Sequence, residues 1–355
     1  MNGYNLNQVM LILFFNLERH YMYAIETWVA ARLNKIQWAK FEGSGRRYFT
    51  TNKLHDVSVT FYEIPLSTGP STAFLSVPRG IASAQNSLVI LMHGFGDDCS
   101  YPLLHWTKLL NANGLSVLSF DWDGHGVSSS SILDFQQATR SLPLLIYRLF
   151  GEEGGSGLSA KRAGPSCFLM GFSMGASYAL IASTRHDVAK NIDGVIAVSP
   201  ALNISSSTKS TGELINNLYP SAWFKDFVNK FEYYGLDGIF PATGSLARKS
   251  FPLRMRTAID YVDQVKRFVN ETFVKRRILR EVKVPVLWMH GMRDRIAPYS
   301  SAASLMMEIP SAFFAHNDEK RGHVRMAFSD QIPKYCSTFI RQCYESKENI
   351  TNFNR

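Results

Sequence analysis

Short runs of consecutive apolar residues alternate with longer helical patterns along most of the chain. The runs are five or six residues long and comprise Ser87–Met92, Leu115–Phe120, Ser166–Met170, Val195–Ser199 and Val284–Met289. Runs of this length without polar alternation are typical of strands buried on both faces of a parallel sheet. Helical segments between them, such as Ile132–Phe150 and Met174–Ser183, complete repeated strand–helix–strand units. The sequence therefore predicts an α/β fold with a mostly parallel central sheet flanked by helices.

The alternation stops over residues 202–283, where the sequence is aromatic, basic and helical in pattern. This segment contains 14 Lys and Arg against 8 Asp and Glu, which accounts for most of the chain's net charge of +9. We interpret it as an inserted helical cap that covers an apolar pocket and whose charge suits an anionic head group or a lipid surface. The predicted organisation is an N-terminal helical extension (1–40), a first core part (41–201), the cap (202–283) and a second core part (284–355).

The N-terminal extension allows two interpretations. Val9–Phe15 is an apolar run of seven residues, whereas a transmembrane helix needs about 20. No Lys or Arg precedes this run, so it does not fit a signal peptide. Five later apolar residues share one helical stripe: Met22, Ile25, Val29, Leu33 and Ile36. The stripe favours a helix packed on its own domain over an interfacial membrane helix. We expect a cytoplasmic protein, with peripheral membrane contact through this helix as the alternative and secretion left open.

The segment Gly171–Gly175 fits the pattern G-x-S-x-G, between a predicted strand and a predicted helix. In that setting the serine lies on a tight, strained turn that exposes its hydroxyl above the sheet. The two glycines remove side chains that would clash across the turn. We predict that Ser173 is a catalytic nucleophile. The alternative, a helix-capping serine in an ordinary turn, explains less of the surrounding pattern.

A serine nucleophile needs a general base, and the base needs an acid that orients it. After the cap, the strand Val284–Met289 runs into a polar loop with Asp294, which we predict as the acid. Two histidines follow: His316 after the last predicted strand, and His323 in the loop before a predicted helix from about Arg325 to Tyr344. We favour His323 because a final loop lets an imidazole reach the nucleophile, and His316 stays the alternative. The other histidines, including His290, are interpreted as structural.

Acyl transfer also needs two preorganised N–H donors that stabilise an oxyanion. The first candidate is the backbone N–H of Met174, directly after the nucleophile. The second is the N–H of Phe95, in the loop His93–Gly96 that follows an apolar strand. We expect His93 to hold this loop by hydrogen bonds rather than to act as a base. The polar residues of Asp121–Gly126, after the next strand, are interpreted as structural.

The sequence has no motif for a disulfide framework, a metal site or nucleic-acid binding. Four cysteines are too few for a disulfide framework, and no Cys/His cluster has the spacing of a zinc site, so we expect no metal and no cofactor. The basic residues concentrate in the cap rather than in a recognition motif, so we expect no nucleic-acid partner. The oligomeric state stays open.

The combined motifs H-G-x-G, D-x-x-G-H-G, G-x-S-x-G, G-x-x-D-x-x-x-P and a late G-H resemble those of the α/β-hydrolase superfamily. More narrowly, the chain resembles the monoacylglycerol lipase and lysophospholipase-like branch, also described as serine aminopeptidase-like. The resemblance covers about Ser87–Cys343, with the cap only loosely matched. It implies an α/β-hydrolase fold and these site residues: catalytic Ser173, Asp294 and His323, with Phe95 and Met174 as oxyanion donors. One departure is Asp123, where that branch usually has Arg before Gly-His-Gly, and a second is the N-terminal extension.

The predicted function is therefore a serine hydrolase that cleaves carboxylic esters through an acyl-enzyme. A small-molecule lipid ester such as a monoacylglycerol or lysophospholipid is the leading substrate. Thioesterase, peptidase and acyltransferase chemistry use the same machinery and stay open. The alternative from a different class is a non-catalytic scaffold that binds a hydrophobic ligand or partner, but a decayed site usually lacks one member of the set, and here all are present.

Overall fold

One sheet runs through the described part of the protein. The computed structural model describes residues 25–36, 57–79, 87–95, 99, 104–125, 134–151, 165–204, 258–318 and 321–353. The strands are β1 (Asn34–Lys35), β2 (Val57–Leu66), β3 (Gly69–Pro78), β4 (Ser87–Met92), β5 (Ser116–Phe120), β6 (Ser166–Phe172), β7 (Gly194–Val198), β8 (Val286–Gly291) and β9 (Ala312–Asp318). Their order is β1-β2-β3-β5-β4-β6-β7-β8-β9. Neighbours from β5 to β9 pair in parallel, and β1, β2 and β3 add an antiparallel edge.

Helices cover both faces of this sheet. They are α1 (residues 25–30), α2 (Leu104–Ala112), α3 (Phe135–Phe150), α4 (Met174–Ser183), α5 (His186–Ala189), α6 (Ala258–Val269), α7 (Tyr299–Met306), α8 (His323–Ala327) and α9 (Gln331–Phe353). A π-helical segment, Asn270–Lys275, and a 3₁₀ turn, Ile278–Glu281, follow α6. Within the described residues, no helix is both long and apolar enough to cross a lipid bilayer.

Most of the apolar core forms two large clusters, one on each face of the sheet, and a third cluster of four buried residues lies around Phe61 and Phe74. Along β4, Leu88 and Ile90 belong to the larger cluster and Val89 and Leu91 to the smaller one, and all four are completely buried. The larger cluster contains residues of α3 and α4, and the smaller contains residues of α2 and α9. A strand packed on both faces has no polar face, which is why β4 is a continuous apolar run in the sequence. The predicted α/β architecture with a mostly parallel sheet is confirmed.

The last helical region differs from the prediction of one helix over about 325–344. The structure has α8 up to Ala327, a break at residues 328–330, and α9 from Gln331. Pro333 explains the break, because its ring would clash with the carbonyl of Ser329 and it has no N–H to donate in a continuous helix. In the first turn of α9 a proline costs no backbone hydrogen bond, because the first N–H groups of a helix have no intrahelical acceptor.

Part of the N-terminal extension packs on the same domain. Ile25, Val29 and Leu33, three members of the predicted stripe, are buried in the larger core cluster. The ring of Trp28 lies 4.7 Å from that of Phe150 at the end of α3. The apolar run Val9–Phe15 lies outside the described residues.

The predicted cap is described only at its two ends, residues 202–204 and 258–283. The larger core cluster includes Val265 and Val269 of α6 and Phe273 of the π-helical segment that follows, and all three are buried. The ring of Phe268 stacks on that of Phe135 at 5.6 Å, at the start of α3. The C-terminal end of this segment therefore packs directly against the helices of one sheet face.

Candidate active site

Ser173 lies on the turn between β6 and α4 and has an unusual backbone conformation. Its φ of 54° and ψ of −115° are strained for any residue other than glycine. Conformations of this kind cost of order 1–3 kcal/mol and occur where the surrounding structure enforces them. Here Gly171 permits the turn, because a Cβ at that position would lie 2.3 Å from the carbonyl carbon of Gly175. The predicted strand–turn–helix geometry around Ser173 is what the structure shows.

Gly175 brings the start of α4 against the end of β4. A Cβ at this position would lie 2.5 Å from the carbonyl oxygen of His93 and 2.6 Å from that of Met92. This close approach places the first turn of α4, which begins at Met174, beside the loop that leads to Phe95. The two predicted oxyanion donors therefore come from neighbouring backbone segments. The N-terminus of α4 also favours negative charge here through its partial positive potential.

His323, at the first position of α8, contacts both other members of the predicted triad. Its Nε2 lies 2.8 Å from Oγ of Ser173, and its Nδ1 lies 2.6 Å from Oδ2 of Asp294. An ionised carboxylate only accepts hydrogen bonds, so Nδ1–H donates to Asp294 and Nε2 is left to accept from the Ser173 hydroxyl. The imidazole is nearly buried and packs against the ring of Phe172 at 5.1 Å. This arrangement can move the serine proton to the imidazole.

Asp294 is held as a buried anion in a short turn after β8. Its Oδ1 accepts hydrogen bonds from the N–H groups of Ile296 at 2.9 Å and Ala297 at 2.8 Å. Burial alone would raise the pKa of this carboxyl. The charge of His323 and the hydrogen bonds of His290 and His323 outweigh that effect and hold the pKa of Asp294 well below its usual range. The carboxylate is therefore ionised throughout the neutral range and can orient the imidazole.

The loops with Asp294 and His323 are joined along their backbones. The N–H of Arg293 donates to the carbonyl of Arg321 at 3.0 Å. A Cβ at Gly291 would lie 2.4 Å from the same carbonyl oxygen, so the two loops touch there. This contact ties the position of the imidazole to that of the carboxylate.

A family model described as serine aminopeptidase, S33 (Hydrolase_4), matches residues 83–317. The chain belongs to this family. It is thus a serine hydrolase with the α/β-hydrolase fold, and the predicted family resemblance is confirmed. A comparison with curated proteins found no match.

Several solved structures have the same fold at low sequence identity. An esterase of Pyrococcus furiosus, Pf2001, is 16% identical with a TM-score of 0.53, over 82% of this chain and 94% of that one. The serine hydrolase CCSP0084 of Cycloclasticus zankles is 17% identical with a TM-score of 0.55, over 80% and 98%. The esterase EaEST of Exiguobacterium antarcticum is 17% identical with a TM-score of 0.51, over 79% and 98%. At these identities the likeness shows the fold alone.

His93 anchors the loop that contains Phe95, the second predicted oxyanion donor of this S33 hydrolase. The N–H of Trp122 donates to Nε2 of His93 at 3.3 Å, so Nδ1 carries the ring proton and donates to the carbonyl of Gly94 at 2.7 Å. Complete burial lowers the pKa of His93 to about 4, although its bond to Gly94 acts in the opposite direction. His93 is therefore neutral at physiological pH and, as predicted from the sequence, makes hydrogen bonds that hold this loop.

Asp123, the predicted departure from the family pattern, is the centre of a polar cluster. Its carboxylate accepts from the N–H of Thr68 at 3.2 Å and forms short hydrogen bonds with the hydroxyls of Thr68 and Ser141. Thr68 lies in the turn between β2 and β3, and Ser141 lies on α3. The carboxylate thus joins the loop after β5 to the antiparallel edge and to a helix, as a structural hydrogen-bonding group.

The structure adds one histidine that the sequence analysis left aside. His290, interpreted as structural, lies in the last part of β8, with its Nε2 3.3 Å from Oδ2 of Asp294. A polar residue at the end of a completely buried strand, four positions before the predicted acid, is the signal that could have found it. His316, the alternative base, lies in β9 and pairs with Met289 of β8, and its side chain lies outside the described part of the structure.

Proposed function

We propose that this S33 serine hydrolase cleaves carboxylic esters through a covalent acyl-enzyme on Ser173, with His323 as the base and Asp294 as the orienting acid. The supporting observation is that one buried imidazole lies 2.8 Å from a strained serine hydroxyl and 2.6 Å from an ionised carboxylate. Those are hydrogen-bonding distances for a nucleophile, a general base and its orienting group.

In the first half of the reaction, Oγ of Ser173 bonds to the carbonyl carbon of the ester while its proton passes to Nε2 of His323. The carbonyl oxygen becomes an oxyanion, which the backbone N–H groups of Phe95 and Met174 stabilise. The intermediate then collapses, the bond to the alcohol oxygen breaks, and that oxygen takes the proton from His323. Asp294 stabilises the imidazolium that forms between these steps.

In the second half, a water molecule attacks the acyl carbon and gives a proton to Nε2 of His323. The bond between the acyl carbon and Oγ breaks, the carboxylic acid leaves, and His323 returns the proton to Ser173. The same side chains thus serve both halves, and the protein is restored after each turnover.

We further propose a lipid ester, such as a monoacylglycerol or a lysophospholipid, as the substrate. Residues 202–283 are rich in aromatic side chains and carry a positive charge, which suits an acyl chain with an anionic or interfacial head group. Two of the structurally similar proteins are named esterases. The family description names a serine aminopeptidase, so an amide substrate is the competing possibility to test.

A fluorophosphonate probe tests the mechanism, because it labels only an activated serine. We expect one adduct, located on Ser173 by peptide mass spectrometry, and no labelling or p-nitrophenyl butyrate hydrolysis in Ser173→Ala. Ser183→Ala on the same helix is the matched control, since within the described residues its hydroxyl donates to the nearby carbonyl of Leu180 at 2.8 Å. An unlabelled wild-type protein, or a Ser173→Ala variant with full activity, would refute the mechanism.

Substrate class needs a separate panel with the wild-type protein. We expect kcat/KM for monoacylglycerols or lysophospholipids to exceed that for acetate esters and for aminoacyl p-nitroanilides by at least about tenfold. Preference for the anilides would replace the lipid-ester proposal with a peptidase while leaving the triad unchanged.

A further inference from the structure

A buried chain of hydrogen-bonding groups leads from β8 to Asp294. The indole N–H of Trp288 lies 3.2 Å from Nδ1 of His290, and both side chains are almost completely buried. An indole nitrogen can only donate, so Nδ1 of His290 is the acceptor and its ring proton resides on Nε2. Trp288 therefore sets one neutral tautomer of His290.

That Nε2–H group lies against the turn that holds the acid. It donates to the carbonyl of Ala297 at 2.8 Å. The N–H of the same residue, Ala297, donates to Oδ1 of Asp294, also at 2.8 Å. His290 thus fixes the position of Ala297, and Ala297 in turn fixes the carboxylate of Asp294.

The same ring nitrogen is also close to the other carboxylate oxygen. Nε2 of His290 lies 3.3 Å from Oδ2 of Asp294, the oxygen that accepts from His323 at 2.6 Å. The N–H dipole of His290 therefore partly compensates the negative charge that faces the imidazole of His323. In a completely buried site such a dipole acts more strongly than it would in water.

We propose that His290 is a positioning residue for the reaction, fixing the turn of Asp294 through Ala297 and setting the charge that Asp294 presents to His323. This inference rests on the proposed acyl-enzyme mechanism. It assigns His290 no contact with substrate, and it gives Trp288 the role of selecting the tautomer that can donate.

Substitutions at His290 separate this role from simple packing. His290→Met keeps the length of the side chain but has no donor, whereas the amide of His290→Gln can accept from Trp288 and donate to Ala297. We expect the fluorophosphonate labelling rate to fall at least about tenfold in His290→Met, the effect of one lost buried hydrogen bond, and to recover most of the way in His290→Gln. His186→Met, at an exposed histidine on α5, is the control and is expected to label as fast as wild type.

The pH profile gives a readout that packing alone would not move. Without the His290 dipole, Asp294 stabilises the imidazolium of His323 more strongly, so the acid limb of kcat/KM is expected to move to higher pH in His290→Met and to return in His290→Gln. Trp288→Phe, which removes the indole donor and part of the buried ring system, is expected to shift the limb in the same direction by less.

The outcomes distinguish this inference from the proposed mechanism. Wild-type protein that the probe does not label would refute the mechanism. The role of His290 alone would be overturned if the probe labels the wild type, and His290→Met and Trp288→Phe show the wild-type labelling rate and the wild-type acid limb of kcat/KM. If His290→Met does not fold, Trp288→Phe and the histidine ¹H–¹⁵N correlations of the wild type decide. A proton on Nε2 of His290 supports the inference, and a proton on Nδ1 overturns it.

Discussion

Replacing His93 with glutamine should change how the stability of the protein depends on pH. His93 is completely buried and its pKa is lowered to about 4, with burial as the main cause. In the unfolded chain a histidine binds its proton near pH 6.5. Between these two pH values, protonation of His93 favours the unfolded state. The part of the unfolding free energy that depends on a neutral His93 is therefore fully present above pH 6.5 and is lost as the pH falls toward 4.

The size of this effect follows from the shift in pKa. Each unit corresponds to about 1.4 kcal/mol, so the wild-type protein should lose ~3 kcal/mol of unfolding free energy between pH 6.5 and pH 4 from this histidine alone. His93→Gln removes that loss, because glutamine does not titrate. Its side chain can still accept from the N–H of Trp122, and we expect the lost bond to Gly94 to cost about 1 kcal/mol at pH 8. The two stability curves should then cross at about pH 5.8, with the variant more stable at lower pH.

Urea unfolding followed by tryptophan fluorescence at several pH values from 4.5 to 8 measures both curves. Other titrating groups act equally in the two proteins, so the difference between the curves isolates His93. His186→Gln, at an exposed histidine, is the control and should follow the wild-type curve. Parallel curves for wild type and His93→Gln across pH 4.5–6.5 would show that His93 is not held neutral by burial.

Three further substitutions or reactions test other parts of the structure. Gly175→Ala should lower the fluorophosphonate labelling rate at least 100-fold, because a Cβ there would lie 2.5 Å from the carbonyl oxygen of His93, and wild-type labelling would contradict this packing. Asp134→Ala should lower the unfolding free energy by about 1 kcal/mol without changing kcat, since Asp134 caps α3 through the N–H groups of residues 136 and 137; an unchanged urea midpoint would argue against the cap. Burial raises the pKa of the Cys336 thiol, so this cysteine should react with DTNB only in denaturant. Peptide mass spectrometry separates it from the partly exposed Cys343, and modification of Cys336 in the native protein would show that its site opens.

The central architecture could be predicted because buried parallel strands have a simple sequence pattern. β4 and α4 begin and end at the predicted residues, since a continuous apolar run and a strand–turn–helix motif define their limits. The approach of Ser173, Asp294 and His323 could also be predicted, because the carboxyl ends of parallel strands lie at one edge of the sheet. Their catalytic roles stay a proposal that the labelling experiment tests.

Other features depend on contacts that no local pattern shows. His290 lies beside Asp294 only because the turn up to Ala297 folds back on the end of β8, so its sequence context alone indicated a structural histidine. The interactions of Asp123 depend on the hydroxyl of Ser141, 18 positions away on another element. The break before α9 could have been predicted from Pro333, whose effect on the preceding residues a helical periodicity alone does not show.

The hydrogen bond between Ser173 and His323 joins residues 150 positions apart in the chain. Chain closure over such a distance is entropically costly and belongs to the non-local contacts that slow folding. During synthesis Ser173 would leave the ribosome before His323 is made, so on the proposed mechanism its hydroxyl could be activated only after β9 has joined the sheet and α8 has formed. On the proposed mechanism, turnover therefore requires the chain up to His323, and a nascent or truncated chain that ends before residue 323 would lack the base for Ser173.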